Sequence, residues 1–349
     1  MGDGGFAWAP VLGRLVRGED LEPNDVSGAM ATILRGDAQD AQIAAFLVAL
    51  RAKGETVDEL TALVRTAREF GERVDVAGPL VDTCGTGGDR LGTFNVSTTA
   101  AFVVAGAGAR VCKHGNRAAS SQSGSADVLE ALGVAVDLGP KGVARCIDEV
   151  GMGFCLAQRF HPAFRFAAPV RTALGIPTTF NFLGPLANPA GVTRQALGVS
   201  DPAMAPRMIG ALEALGSQRA LIFWGHDGLD ELTTTGPSTV VELNGEVVDE
   251  YEIDPEEFGL ARASIDDLAG GSPERNADIT RRVLAGDAGP HRDIVVLNAA
   301  AGLLAADVAA NFGNAVSEAA AAIDDGLAAE RLESLIAVSQ AARADDPAS

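Results

Sequence analysis

Hydrophobic spacing divides the chain into two textures. Over residues 8–72 the apolar positions recur with a helical period. Ile43, Phe46, Leu47 and Leu50 stand at i, i+3, i+4 and i+7, and Gly54 closes that segment. Thr56 and Glu59 form a capping box for the next helix, whose stripe is Leu60, Leu63, Val64 and Ala67, with Gly71 as its stop. Such a stripe is a packing or dimer face rather than a ligand site. Gly78-Pro79 marks a linker. Beyond it, short apolar runs alternate with Gly- and Ser-rich loops and helical stretches. Strands are expected at 80–83, 109–113, 134–136, 153–157, 197–199 and 220–224, and helices at 97–105, 126–132 and 140–150 and between the last two strands. A hairpin is expected over 240–251 around Asn244-Gly245. Residues 176–189 are too turn-rich for one regular element, and the chain from about 276 reads helical and Ala-rich. The alternation implies an α/β fold: a small helical N-terminal domain plus a larger domain with a mostly parallel central sheet flanked by helices. The expected division is 1–75, joined by helices from 160–182, and 76–349. In such sheets ligands bind beyond the carboxyl ends of the strands.

Composition narrows the partners. The chain has 349 residues, 47% of them apolar, enough for a large core. No apolar run is long enough for a bilayer, and residues 1–5 lack the basic start of a signal peptide, so a cytoplasmic location is expected. The formal charge is −20, and Lys53, Lys113 and Lys141 are the only lysines. Such a surface repels nucleic acid and anionic membrane. It suits a salt-rich interior, where ions screen the repulsion, although an ordinary acidic protein has the same sign of charge. Cys84, Cys112, Cys146 and Cys155 form no C-x-x-C pair and read as reduced thiols filling the core.

The candidate chemistry sits between Asp82 and Leu132. Gly85-Thr86-Gly87-Gly88-Asp89 follows a strand but matches neither the dinucleotide fingerprint nor a Walker loop. A bare loop of this kind suits a tight turn as well as a phosphate. Asn95, Ser97 and Thr98 start a helix, where capping and anion binding compete for the same N–H groups. Lys113 ends a strand, and Asn116, Arg117, Ser120 and Ser121 after it favour an anion clamp over a solvated charge. Asp230-Glu231 follows a strand and a Gly turn. In a chain with 47 acidic residues most acidic pairs are solvated surface, but this position suits Mg²⁺, which takes one or two carboxylates plus substrate phosphates. His161 lies in an Arg-rich loop and reads equally as a packed histidine.

Together these motifs resemble the anthranilate phosphoribosyltransferases. Gly85–Asp89, Asn95–Thr98, Lys113–Arg117, Gly124–Glu130, His161–Ala163, Asn181–Leu186 and Asp230-Glu231 occur in that family's order and spacing. The resemblance implies transfer of phosphoribose from phosphoribosyl pyrophosphate to anthranilate, with Mg²⁺, in tryptophan biosynthesis, and a homodimer formed through the helical domain. It implies a phosphoribosyl pyrophosphate site made by Gly85, Gly88, Asp89, Thr93, Asn95, Val96, Ser97, Thr98, Lys113, His114, Gly115, Asn116, Arg117, Ala118, Ala119, Ser120, Ser121 and Ser125. It implies Ser97, Asp230 and Glu231 as metal ligands, and Gly85, Asn116, His161 and Arg171 along the anthranilate path. No general base or covalent residue is implied; positioning and electrostatics carry the rate. Arg90 departs from the pattern, standing where the family usually has Gly. A pyrimidine nucleoside phosphorylase and a non-catalytic, nucleic-acid-binding relative share parts of this architecture. The acidic pair counts against both readings, and the acidic surface against the second.

Overall fold

A computed structural model describes residues 6–118 and 122–345. Four helices open the chain: α1 (Trp8–Val16), α2 (Pro23–Arg35), α3 (Asp40–Lys53) and α4 (Val57–Glu69). The capping box forms as expected: Glu59 N–H donates to Thr56 Oγ1 at 3.1 Å, and Thr56 N–H donates to Glu59 Oε2 at 2.8 Å. Gly54 leaves α3 at φ 87°.

The larger part runs β1 (Val81–Gly85), α5 (Val96–Gly106), β2 (Val111–Gly115), α6 (Ser125–Leu132), α7 (Pro140–Val150), β3 (Met152–Leu156), α8 (Ala157–Phe160), α9 (Ala168–Leu174), α10 (Phe180–Leu186), β4 (Arg194–Gly198), α11 (Ala205–Ala214), β5 (Arg219–Gly225), β6 (Ser238–Asn244) and β7 (Val247–Ile253). Helices α12 (Pro273–Leu284), α13 (Pro290–Ala305), α14 (Phe312–Asp324) and α15 (Leu327–Asp345) complete it. Among the described residues the sheet has seven strands in the order β3-β2-β1-β4-β5-β6-β7, parallel as far as β5 and antiparallel in the last two pairings.

Strand alternation sorts the core into two layers. Val81, Ala196, Leu221, Phe223 and Val240 face α5, α13 and the C-terminal helices. Cys84, Leu197, Ala220, Ile222 and Val241 face the other way, into one continuous core with α1–α4, α10 and α11. The helical domain therefore shares its core with one face of the sheet. Polar ties add to it: Arg51 pairs with Asp201 and lies 5.2 Å over the Phe182 ring, and Arg68 donates twice to the Leu186 carbonyl.

Two local expectations are corrected and one holds. Residues 134–136 are buried but join no strand; the Ala135 N–H is taken by Ser339 Oγ of α15 at 3.0 Å instead of by a ladder. The turn-rich stretch 176–189 is not one regular element, as expected; α10 covers only Phe180–Leu186 of it and carries Pro185. The hairpin forms one residue later than expected. Asn244 pairs with Val247, so Gly245-Glu246 makes the loop, with Gly245 at φ 64° in the first position of a II′ turn.

Candidate active site

Four parallel strands end in glycine at the same sheet edge: Gly85 (β1), Gly115 (β2), Gly198 (β4) and Gly225 (β5). Gly85 and Gly198 are register partners, and a Cβ on either would overlap Asp230. The segment carrying Asp230-Glu231 can therefore lie directly across the ends of β1 and β4. A Cβ on Gly115 would likewise overlap Ser125 Oγ, so bare strand ends let α6 close on β2.

The loop after β1 folds through left-handed residues: Gly87 (φ 69°), Gly88 (φ 95°), Arg90 (φ 61°) and Gly92 (φ 71°). Ser200, after β4, anchors it. Its N–H donates to Thr86 Oγ1 at 3.0 Å and its hydroxyl to the Gly87 carbonyl at 2.7 Å. Asp89 Oδ1 accepts from Leu91 N–H, and Thr93 pairs with Ala269. Gly87 N–H donates to Asp230 Oδ2 at 2.6 Å, and Ser97 N–H, in the first turn of α5, donates to Glu231 Oε1 at 3.1 Å. Val96 and Thr98 are buried in that turn. Asn95 does not cap α5. Its Oδ1 accepts from Asn276 and Ser123, and its Nδ2 donates to the Ser123 carbonyl.

Lys113 is only 1% exposed. Its ammonium turns inward to the Thr83 carbonyl and lies 3.5 Å from Ser97 Oγ. His114 is buried; its N–H donates to Asp82 Oδ1, and Nδ1 lies 2.8 Å from the Gly184 carbonyl. Burial, then the nearby His161, depresses its pKa to about 3. Asn116 and Ala118 are held by α6: Asn116 N–H donates to Ser125 Oγ, and Ala118 N–H to Asp127 Oδ2. Arg117 forms a two-pronged pair with Glu130 and also reaches Asp127. Ala119, Ser120 and Ser121 lie outside the described residues.

His161 is 5.3 Å from the His114 ring and stacks 5.2 Å from Phe164, with Nε2 at 2.9 Å from the Ala187 carbonyl. Gly71 passes so close that a Cβ there would press on the His161 ring. Arg171, on α9, lies 5.4 Å over Phe180. Its buried Nε has no partner, it joins no ion pair among the described residues, and desolvation lowers its pKa.

Burial pushes the Asp230 carboxyl up, followed by repulsion from Glu231 and Asp89. Burial also raises Glu231, against the attraction of Lys113. Among the described residues no group of three or more His, Cys, Asp or Glu suffices to hold a metal alone. Two buried, mutually repelling carboxylates beside the Ser97 hydroxyl nevertheless fit Mg²⁺, whose remaining ligands are substrate oxygens and water. A neighbouring cleft of about 310 Å³, lined by Ser200, Trp224 and His226, contains none of the expected ligand residues.

Sequence reading missed Ser200, Gly198 and Asn276, whose roles depend on partners distant in the chain. The Gly that ends four of the five parallel strands was the available cue for Gly198. Residues 9–71 match the glycosyl transferase family helical bundle domain, and residues 77–329 the glycosyl transferase family a/b domain. An anthranilate phosphoribosyltransferase of Arthrobacter sp. (strain FB24) is 52% identical over 342 residues, covering 96% of this chain and 97% of its own length. One from Roseiflexus castenholzii is 52% identical, covering 93% and 96%. The crystal structure of the anthranilate phosphoribosyltransferase from Thermus thermophilus superposes with TM-score 0.90 at 43% identity, covering 94% of this chain and 99% of its own. The Saccharomyces cerevisiae enzyme in complex with PRPP and Mg superposes with TM-score 0.87 at 29% identity, covering 96% and 98%. A helical bundle and an a/b domain in this order, with an acidic pair set across two glycine-ended strands, place this chain in the anthranilate phosphoribosyltransferase family.

Proposed function

We propose that this chain transfers the phosphoribosyl group of 5-phosphoribosyl 1-pyrophosphate to the amine of anthranilate, releasing pyrophosphate, in tryptophan biosynthesis. The observation that carries the reading is the convergence of Asp230 and Glu231 on the amides of the Gly loop and the α5 N-terminus. That edge offers N–H donors for a pyrophosphate and oxygens for its cation in one place. Asp230, Glu231 and the Ser97 hydroxyl would hold Mg²⁺. Bound there, it would neutralise charge growing on the leaving pyrophosphate.

The chain's own groups do the rest. Gly85, Gly88, Asp89 and Thr93 line the ribose and pyrophosphate, with Asn95 through Thr98 and with His114 through Ala118 and Ser125. Lys113 contributes its field from inside the sheet, 3.5 Å from Ser97, rather than as a surface clamp. Arg171, desolvated and without an acid, receives the anthranilate carboxylate. Asn116 and His161 border the path between the substrates. The amine is neutral and nucleophilic at pH 7, so alignment suffices without a strong base.

The helical domain, extended by 160–182, serves as the dimer face, supported by exposed Val16, Val48 and Ile176; a monomer in sedimentation equilibrium would remove that assignment. The charge of −20 supports adaptation to salt. The test is loss of anthranilate fluorescence on adding phosphoribosyl pyrophosphate, with and without Mg²⁺, in low and molar salt. Mg²⁺-dependent loss is expected, faster in molar salt. Phosphorolysis of thymidine without it would replace the reading by a nucleoside phosphorylase.

A further inference from the structure

The amides best placed to receive an anion are already engaged. Gly87 N–H, within the left-handed turn, donates to Asp230 Oδ2 at 2.6 Å. Ser97 N–H, at the start of α5, donates to Glu231 Oε1 at 3.1 Å. An N–H serves one acceptor well, so a phosphate oxygen and a carboxylate compete for it. The two carboxylates are neighbours in sequence, and their segment is fixed on both sides. Beneath it, Gly85 and Gly198 let the Asp230 backbone rest on the strand ends. Behind it, Leu232 N–H donates to Asn298 Oδ1 at 2.9 Å, and Asn298 Nδ2 donates to the Leu232 carbonyl at 2.8 Å. The backbone is held, so the adjustment left to the pair is rotation of the side chains.

We propose that Asp230 and Glu231 act as internal anions that reserve this cradle for a pyrophosphate carrying a divalent cation. The inference rests on the phosphoribosyl pyrophosphate reading above and adds a selectivity role to the pair. A free anion, whether inorganic phosphate, sulfate or metal-free pyrophosphate, must displace two carboxylates from the donors it needs and then lie beside them. A cation-bearing pyrophosphate presents those carboxylates with a better partner. Turned toward it, Asp230 and Glu231 release the Gly87 and Ser97 amides to the phosphate oxygens. The same residues thus penalise the wrong anion and accept the right one, which is specificity by repulsion as well as by attraction.

Calorimetric titration with inorganic pyrophosphate, in Mg²⁺ and in EDTA, reads this directly. Wild type is expected to bind in Mg²⁺ and far more weakly in EDTA. In EDTA, Glu231→Gln and the double variant Asp230→Asn, Glu231→Gln should bind pyrophosphate about tenfold tighter than wild type, because the competing charges are gone. If wild type binds in Mg²⁺ but the folded variants gain nothing in EDTA, the internal-anion role is wrong while the function stands. If wild type binds pyrophosphate under neither condition, the functional reading falls and this role with it. A measurement on wild type alone guards against misfolded variants. Mg²⁺ plus pyrophosphate should shift the amide proton resonances of Gly87 and Ser97, and unmoved resonances in a bound complex would overturn the exchange.

Discussion

The two halves of the site differ in how their polar groups are satisfied. At the end of β1 and the start of α5 the polar groups are engaged from within: the Gly87 and Ser97 amides donate to the acidic pair, Ser200 N–H donates to Thr86 Oγ1, and Lys113 donates to the Thr83 carbonyl. Around α9 and the His114 ring two are left open. Among the described residues, Arg171 Nε and His114 Nε2 are buried without partners. A closed network must exchange partners to work, whereas an open one takes its missing partner from a ligand. Loss of the exchanging acidic pair should therefore appear in the rate, loss of a static anchor such as Ser200 in the binding of phosphoribosyl pyrophosphate, and damage to the second half in the binding of one substrate. The largest test is Asp230→Asn with Glu231→Gln. Turnover should fall by about 10³-fold. The thermal midpoint should not fall, because both substitutions remove buried like charges. Near-normal steady-state turnover would sink the metal assignment.

Arg171→Ala probes the other half. The KM for anthranilate should rise by roughly 10- to 100-fold, since a desolvated charge-assisted pair is lost, while the KM for phosphoribosyl pyrophosphate stays close to wild type. Arg171→Lys should recover only part, lacking the planar fork. Equal rises in both constants would reject the carboxylate as its partner. The same half should also be acid-sensitive. His114 has a folded pKa depressed from 6.5 to about 3 by burial and by His161, so its contribution to stability is complete above pH 6.5. It is lost as pH falls toward 3, at up to about 1.4 kcal/mol per pH unit. Urea midpoints measured from pH 7 to pH 4 should follow that slope, and His114→Asn should flatten it. A slope unchanged in the variant would place the sensitivity elsewhere.

What the sequence disclosed follows from how far apart the cooperating residues lie. The helical stripe Leu60–Ala67, the capping box at Thr56 and the strand-loop-helix rhythm are local, and they form as expected. The loops around Gly85 and Lys113 were legible for the same reason. The bond from Gly87 to Asp230 spans 143 residues, and no local pattern encodes it. Lys113 reads as a surface clamp until β1 is laid beside it and Thr83 takes its ammonium. Residues 134–136 have strand composition, but Ser339, far along the chain, takes the N–H that a ladder would need. Ser200 was invisible on the same grounds, and it offers a milder test of the closed half. Ser200→Ala removes the bond to the Gly87 carbonyl, so the KM for phosphoribosyl pyrophosphate should rise several-fold with kcat nearly preserved. Restoration by Ser200→Thr would assign the effect to the hydroxyl; a fall in kcat alone would contradict a positioning role.

The smallest effect belongs to Arg90, the residue that departs from the family's motif. Its φ of 61° lies in the left-handed region, where a side chain costs about 1 kcal/mol and glycine costs nothing. The same turn places the Gly87 amide, so the chain holds an ordinary residue in a strained position inside the loop that meets the acidic pair. Arg90→Gly relieves that strain but gives the unfolded chain more freedom, which returns roughly 0.5 kcal/mol. A net gain of about 0.5 kcal/mol in urea unfolding is expected. Arg90→Ala, which keeps the Cβ, should gain nothing. If alanine stabilises as much as glycine, the guanidinium's charge rather than the backbone is the source, and the closed half owes less to its turn geometry than the left-handed residues suggest.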